Sequence, residues 1–321
     1  MPRGRSPRIS RAAAVVARAV LSILRPVFGG VGVTFHGVRG STPCTGPEFA
    51  RYGGHSSCVV LEADDQQPII FDLGTGLRPY GVHCEGEFHG TALLSHLHWD
   101  HMQGLPFFLP LHNPGATLDV YGPRQADGSL GDVFAQMMRP PFFPIRPNDL
   151  PGEIRFHDTA DDDFPVGLAK VRSRWVRHVG PTLGFRVEWN GTSIAYLPDH
   201  GPGTVVSDAD DFVPPGVLEL CDGVDVLIHD AQHTLAEYEP KRHWGHCTVD
   251  YAVHVAREAG AHNLLLFHHD PLHGDDDMDR IAEYAGELAA RTGVPEVTVA
   301  RDGLRLELAA HPSGHGAVGR R

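Results

Sequence analysis

Four side chains able to hold a metal stand within six residues: His96, His98, Asp100 and His101, in the run Ser95-His96-Leu97-His98-Trp99-Asp100-His101. Imidazole nitrogen and carboxylate oxygen are ordinary donors for zinc, manganese and iron. His96 and His98 are two apart, so at the end of a strand both rings point the same way. Asp100 and His101 come next, where the chain turns towards Gly104, and adjacent residues in a turn can face a second point. Four donors so placed suit two neighbouring ions better than one. The competing reading, a histidine-rich polar loop, fits poorly with an apolar run, Thr91–Leu97, that leads straight into the donors. Two ions sharing a water lower its pKa towards neutrality, which makes a nucleophile at pH 7 without any serine or cysteine.

Such a loop needs strands to present it. From Val31 the pattern is strand, turn, strand, with short apolar runs at Cys58–Leu61 and Ile69–Phe71 bounded by Gly, Asp and Pro. Thr117–Tyr121 reads as a further strand and Leu130–Met138 as a helix, and the Pro-rich aromatic segment Met138–Pro151 reads as an ordered loop. Leu183–Trp189 and Thr192–Leu197 flank Asn190-Gly191, a two-residue hairpin turn. Beyond it lie a buried strand (Val224–Ile228), a helix (Thr248–Ala259), a strand (Asn263–Phe267), a helix (Met278–Arg291) and a last strand (Leu304–Leu308). Strand-rich halves each closed by helices predict two sheets face to face with helices outside.

Composition narrows the class. The chain has 321 residues, 41% apolar and 21% charged, as in a globular protein with a sizeable core. A formal charge of −13 argues against a protein built to grip nucleic-acid backbone. Five scattered cysteines without a CxxC pair make no disulfide framework, which points to a reducing cytoplasm. The 22 histidines are the informative excess. Residues 1–30 differ in kind: Arg3, Arg5, Arg8, Arg11, Arg18 and Arg25 surround the apolar stretch Ala12–Leu24, which Arg18 breaks. That stretch is too short to span a bilayer. It reads as a basic arm outside the core, with weak contact to an anionic membrane surface as one use and a cleaved signal as another. The core domain is expected over 31–310, with a frayed tail at 311–321.

The histidine loop and several runs around it resemble the metallo-β-lactamase superfamily from roughly Val33 to Leu308, and within it the ribonuclease Z and small phosphodiesterase branch. Phe71-Asp72-Leu73-Gly74-Thr75-Gly76 is similar to the family turn whose aspartate supports the ligand histidines from behind. Arg177-His178-Val179-Gly180-Pro181-Thr182 resembles the third motif, Tyr196-Leu197-Pro198-Asp199 the end of the strand carrying the bridging aspartate, and Leu266-Phe267-His268 the last ligand. The resemblance implies an α/β fold, a four-layer αββα sandwich of two mixed sheets with outer helices. It implies one metal at His96, His98 and His178, a second at Asp100, His101 and His268, and Asp199 between them. His268 is preferred over His269 because it directly succeeds the apolar strand. The flavo-di-iron branch places acids where this loop has histidines. Class B β-lactamases lack the bridging aspartate, and the glyoxalase-type branch has a helical C-terminal domain, whereas only about fifty residues follow His268 here.

Val226-Leu227-Ile228-His229-Asp230-Ala231 and Trp244-Gly245-His246-Cys247-Thr248 resemble the branch's paired acid and histidine elements, with Asp where Glu is usual. The resemblance implies a relay in which Asp230 orients His246, and His246 meets a phosphate oxygen or protonates the leaving alkoxide. Asp100 would also orient the attacking hydroxide. Taken alone, Asp230 is a strand-end turn residue and His246 a neighbour of a helix N-cap. Arg39, in Arg39-Gly40-Ser41-Thr42-Pro43, is a candidate phosphate contact, and His200 stands where a Thr is more common.

The tRNA-gripping arm of ribonuclease Z falls between the third motif and the bridging aspartate, and Gly184 to Asp199 holds only the hairpin. The expected activity is therefore hydrolysis of a small, cyclic phosphodiester with two divalent ions, zinc first and manganese or iron next. Ester, lactone or thioester hydrolysis is the alternative, then an armless ribonuclease Z-like nuclease and a non-catalytic binding role. Nucleic acid is a disfavoured partner, and a homodimer is compatible with the sequence.

Overall fold

The structure is a computed structural model that describes residues 29–64, 66–202 and 212–309. Nearly all of the basic arm and the frayed tail lie outside the described residues. The first sheet is built from β1 (Val31–Gly37), β2 (Cys58–Ala63), β3 (Gln66–Phe71), β4 (His89–Leu93), β5 (Thr117–Pro123) and β6 (Glu153–Thr159). Helices α1 (Leu77–Val82) and α2 (Leu130–Met137) cross between its parallel members. The second sheet takes β7 (Asp163–Val166), β8 (Ala169–Trp175), β9 (Leu183–Trp189), β10 (Thr192–Leu197), β11 (Val226–Asp230), β12 (Asn263–Phe267) and β13 (Glu296–Val299). Its helices are α3 (Pro215–Cys221), α4 (Leu235–Lys241), α5 (Val249–Ala259) and α6 (Asp275–Thr292). The last strand, β14 (Arg305–Leu308), crosses back to pair antiparallel with β1.

The sheets order as β14-β1-β2-β3-β4-β5-β6 and β13-β12-β11-β10-β9-β8-β7, both mixed. Period-two alternation decides what each face meets. Ile69, Phe71, Phe185, Val187, Ile194 and Tyr196 fill the space between the sheets, where Phe71 stacks on Tyr196 at 4.5 Å. Ala195, Leu197, Leu227 and Leu266 point the other way, under α3, α5 and α6. Ile70, Ala92, Leu94 and Val120 do the same for the first sheet, against α1 and α2. The four-layer expectation is therefore met. Among the described residues no helix is long and apolar enough to cross a membrane.

Several expected strand bounds move, and two of the shifts bear on the site. The run expected over Thr91–Leu97 leaves the sheet at Leu93, because the Ser95 amide bonds to the Asp72 carboxylate (2.7 Å) and not to a neighbouring strand. The strand expected at Val224–Ile228 runs from Val226 to Asp230, which places Asp230 at its carboxyl end. The Asn190-Gly191 turn forms as expected, with φ of 51° and 73°. Thr248 caps α5 by accepting from the Tyr251 amide at 3.1 Å, and Gly260 ends it in the left-handed conformation.

Candidate metal centre

Every candidate donor stands just beyond the carboxyl end of a strand, or on the loop after it. The loop after β4 carries His96, His98, Asp100 and His101, the one after β8 carries His178, and those after β10 and β12 carry Asp199 and His268. Crevices at the carboxyl ends of parallel strands are the usual ligand site of α/β sheets. The loop after β3 nests beneath the histidine loop, with the Leu73 amide on the His101 carbonyl and the Gly104 amide on the Leu73 carbonyl, both at 2.8 Å. A Cβ at Gly104 would collide with the Gly74 carbonyl, so glycine is required where the two loops touch.

The rings are held from behind. Nδ1 of His96 lies 3.0 Å from Ser95 Oγ, Nδ1 of His101 2.7 Å from Asp72 Oδ2, and Nδ1 of His178 2.9 Å from the Gly245 carbonyl. Nδ1 of His268 lies 3.0 Å from Gln232 Oε1. Anchoring one ring nitrogen leaves the other as the donor and fixes its direction. His98 is turned round and presents Nδ1 to His178 Nε2 at 3.3 Å. Asp72 is buried and also accepts from Ser95 Oγ (2.9 Å) and the Tyr196 hydroxyl (2.7 Å), so one carboxylate organises the loop.

Asp199 lies between two donor sets. Its Oδ1 is 3.6 Å from His178 Nε2 and 3.8 Å from His96 Nε2; its Oδ2 is 3.0 Å from His101 Nε2 and 3.3 Å from His268 Nε2. Donor atoms of His96, His98, His178 and Asp199 all fall within 4.8 Å of one another, as do those of Asp100, His101 and His268. The Ser41 amide holds Asp100 Oδ2 at 2.8 Å. Among the described residues, His96 Nε2 is buried without a hydrogen-bond partner, and Asp199 Oδ2 faces only the ring nitrogens of His101 and His268. Buried polar atoms are rarely left so, and the donor sets have the chemistry to hold a divalent cation that would satisfy them.

The electrostatics agree. Burial holds the His96 imidazole well below its usual range, so it stays neutral and able to donate a lone pair. Burial pushes the Asp199 carboxyl up, but His268, His101 and His96 outweigh it and keep the carboxylate ionised.

His246 Nδ1 is 2.7 Å from Asp230 Oδ2 and 3.7 Å from Asp199 Oδ1. The shorter reach of Asp relative to Glu is thus closed by the backbone. Burial pushes the Asp230 carboxyl up to about 7. The His200 and Gln232 amides also donate to Asp230, at 3.2 and 2.9 Å. His200 itself packs its Nδ1 3.1 Å from His229 Nε2 behind Asp230, and so braces the pair. His246 also has a donor atom within 4.8 Å of those of Asp199 and His268.

One expectation is corrected. Arg39 is fully buried, donating Nε to the Gly53 carbonyl (2.8 Å) and Nη1 to the His273 carbonyl (2.7 Å), so it ties loops together beneath the surface and does not stand exposed at the site entrance. His269 turns away and places Nε2 2.8 Å from the Ala300 carbonyl. Ser41, Tyr196 and Gln232 belong to the site without standing out in the sequence as candidates, although Ser41 lies in the run Arg39-Gly40-Ser41-Thr42-Pro43 and Tyr196 in the run before Asp199, both of which the sequence singles out.

The Beta-lactamase superfamily domain profile matches residues 89–269, which span the candidate donors. The chain belongs to that superfamily. It is a hydrolase of the metal-dependent kind, with the metallo-β-lactamase fold. Among curated proteins it is similar to ribonuclease Z of Haloferax volcanii, 28% identical over 322 residues, covering 88% of this chain and 97% of the relative. Among solved structures it is similar to the short form of human tRNase Z, with TM-score 0.61 and 22% identity over 86% of this chain and 99% of the other. A diphosphatase from the PhnP family gives TM-score 0.59 and 21% identity, covering 88% of this chain and all of the other.

Proposed function

We propose that this hydrolase uses two divalent ions to cleave a small phosphodiester. The observation that carries the reading is the division of Asp199, one oxygen facing His96 and His178 and the other His101 and His268. Bound by His96, His98, His178, Asp199, Asp100, His101 and His268, such ions would supply Lewis acidity and lower the pKa of a bound water. Zinc fits the nitrogen and oxygen donors, as do manganese and iron.

The chain's own residues do the rest. The Ser41 amide fixes Asp100 at the donor set, where its carboxylate can orient the attacking water. Asp230 holds His246 by Nδ1, which leaves Nε2 free to meet a phosphate oxygen or give a proton to the leaving alkoxide. Small substrate size is supported by the two-residue turn between β9 and β10, which leaves no arm there for tRNA, and by the charge of −13. The names of the similar proteins, ribonuclease Z and diphosphatase, support phosphate chemistry over lactone or thioester cleavage. They also favour a second reading, a ribonuclease Z-like nuclease without the arm. The five cysteines, all free, suit a reducing cytoplasm.

The test is a panel assay of the metal-loaded protein on bis-p-nitrophenyl phosphate, cyclic nucleotides, a precursor tRNA, a lactone and nitrocefin. Turnover of the cyclic nucleotides above the other substrates is expected. Efficient cleavage of precursor tRNA would establish the nuclease, and turnover of the lactone alone would overturn phosphodiester hydrolysis.

A further inference from the structure

Large apolar side chains left in solvent stand beside the candidate donors. Trp99, 67% exposed, lies between His98 and Asp100; Val179 is next to His178; Trp244, 47% exposed, precedes Gly245 and His246. A single exposed apolar side chain needs no explanation, but several gathered at one polar site mark a binding surface. The residues beside them touch. His98 Nδ1 is 3.3 Å from His178 Nε2, and His178 Nδ1 is 2.9 Å from the Gly245 carbonyl.

Both indoles rest on tied backbone. The Trp99 carbonyl accepts from the Met102 and Gln103 amides at 3.1 and 2.9 Å. Trp244 ends the short turn Arg242–Trp244, with Lys241 Nζ 5.6 Å from its ring centroid. Lys241 is itself held by Asp270 Oδ2 at 2.9 Å. Rings on fixed turns lose little freedom when a ligand stacks on them.

We propose that Trp99 and Trp244 form a stacking rim for the planar base of a nucleotide whose phosphodiester lies at Asp199; this rests on the phosphodiesterase reading and names its substrate class. An indole presents a flat face, which a purine or pyrimidine matches and an acyl chain does not. Trp99 is one residue from His98 and Trp244 two from His246, so their Cα atoms lie within about 4 Å and about 8 Å of those of the two histidines. A single nucleotide spans such distances. The acidic chain repels a longer polyanion, which leaves one base and one phosphodiester as the ligand that fits.

The test compares 3′,5′-cyclic AMP with a base-free ribose 3′,5′-cyclic phosphate on the zinc-loaded enzyme. Wild type should prefer the base-bearing diester. Trp99→Ala and Trp244→Ala should each raise KM for cyclic AMP by about 5–100-fold with a far smaller fall in kcat, and the preference should shrink by the same factor. Phenylalanine at either position should restore most of it, and Leu168→Ala, at the opposite end of β8, should keep the preference. A wild type indifferent to the base, or a preference that survives both alanine variants, overturns the rim while phosphodiester hydrolysis stands. If no phosphodiester is cleaved, the earlier reading fails instead. Calorimetric binding of adenosine 5′-monophosphate then decides the rim: weakening in both alanine variants supports it, and no binding or equal binding overturns it.

Discussion

Asp230 Oδ2 lies 2.7 Å from His246 Nδ1, on a carboxylate that also receives the His200 and Gln232 amides. An imidazole so held has one free nitrogen and one orientation. His246→Ala should therefore retain both metals and lose about 10²–10⁴ in turnover, the usual worth of a positioned acid or base. The loss should be smaller for p-nitrophenyl diesters, whose leaving group needs little protonation, than for an alkoxide substrate. Loss of a metal in this variant would make His246 a ligand, as its distance to Asp199 allows.

Asp199 is the residue both donor sets share. Asp199→Ala should lower metal content more than any single histidine change, by elemental analysis of the purified protein. His157→Ala, on β6 and paired with Asp119 at 2.8 Å, is the control and should keep its metal. Equal metal content in the two variants would contradict the shared-ligand geometry.

Asp72 carries stability as well as position. Removing it strands the Ser95 amide and the Tyr196 hydroxyl in the interior and takes from His101 Nδ1 its carboxylate partner. Asp72→Ala should cost about 3–5 kcal/mol. Tyr196→Phe, which keeps the stack on Phe71, should cost about 1.5–3 kcal/mol. Urea unfolding of the metal-free protein separates these losses from metal binding.

His36 supplies an acid-sensitive element away from the donors. Burial first, then the charges of His83, Arg305 and His55, lower its pKa to about 4. The folded value lies below the unfolded value near 6.5, so folding favours the neutral ring. Its contribution is fully present above pH 6.5 and is lost as pH falls towards 4, by on the order of 3 kcal/mol. His36→Gln should unfold less steeply with acid over that window. Identical pH profiles for the two proteins would remove His36 from the account.

Legibility in the sequence depends on where along the chain the information sits. His96, His98, Asp100 and His101 declare themselves because the donors are neighbours in the chain. Strands such as β9 are equally plain, since Leu183, Phe185, Val187 and Trp189 alternate with residues facing away. Strands β6 to β8 carry a weaker pattern: β6 has Arg155 and His157 on the same face as the buried Thr159, β8 sets Lys170, Arg172 and Arg174 against inner positions that include Ser173, and β7 has only four residues. Neither Gln232 nor Ser41 stands out as a site residue, because their roles come from contacts 36 and 59 residues away in the chain. The left-handed backbone of Asp72 and His268, with φ of 59° at both, is likewise invisible, since neither residue type announces it.

The two sheets contribute to the centre from opposite sides. Loops of the first supply His96, His98, Asp100 and His101, and loops of the second supply His178, Asp199 and His268. An ion held across that seam is also a tether between the halves of the molecule. Folding and metal uptake then draw on one equilibrium, and stability rises by about 1.4 kcal/mol per site for each tenfold increase in free ion once the sites saturate. Chelation should loosen the molecule first at these strand ends, where proteolysis and hydrogen exchange would register the opening, while the far ends of the same strands stay closed.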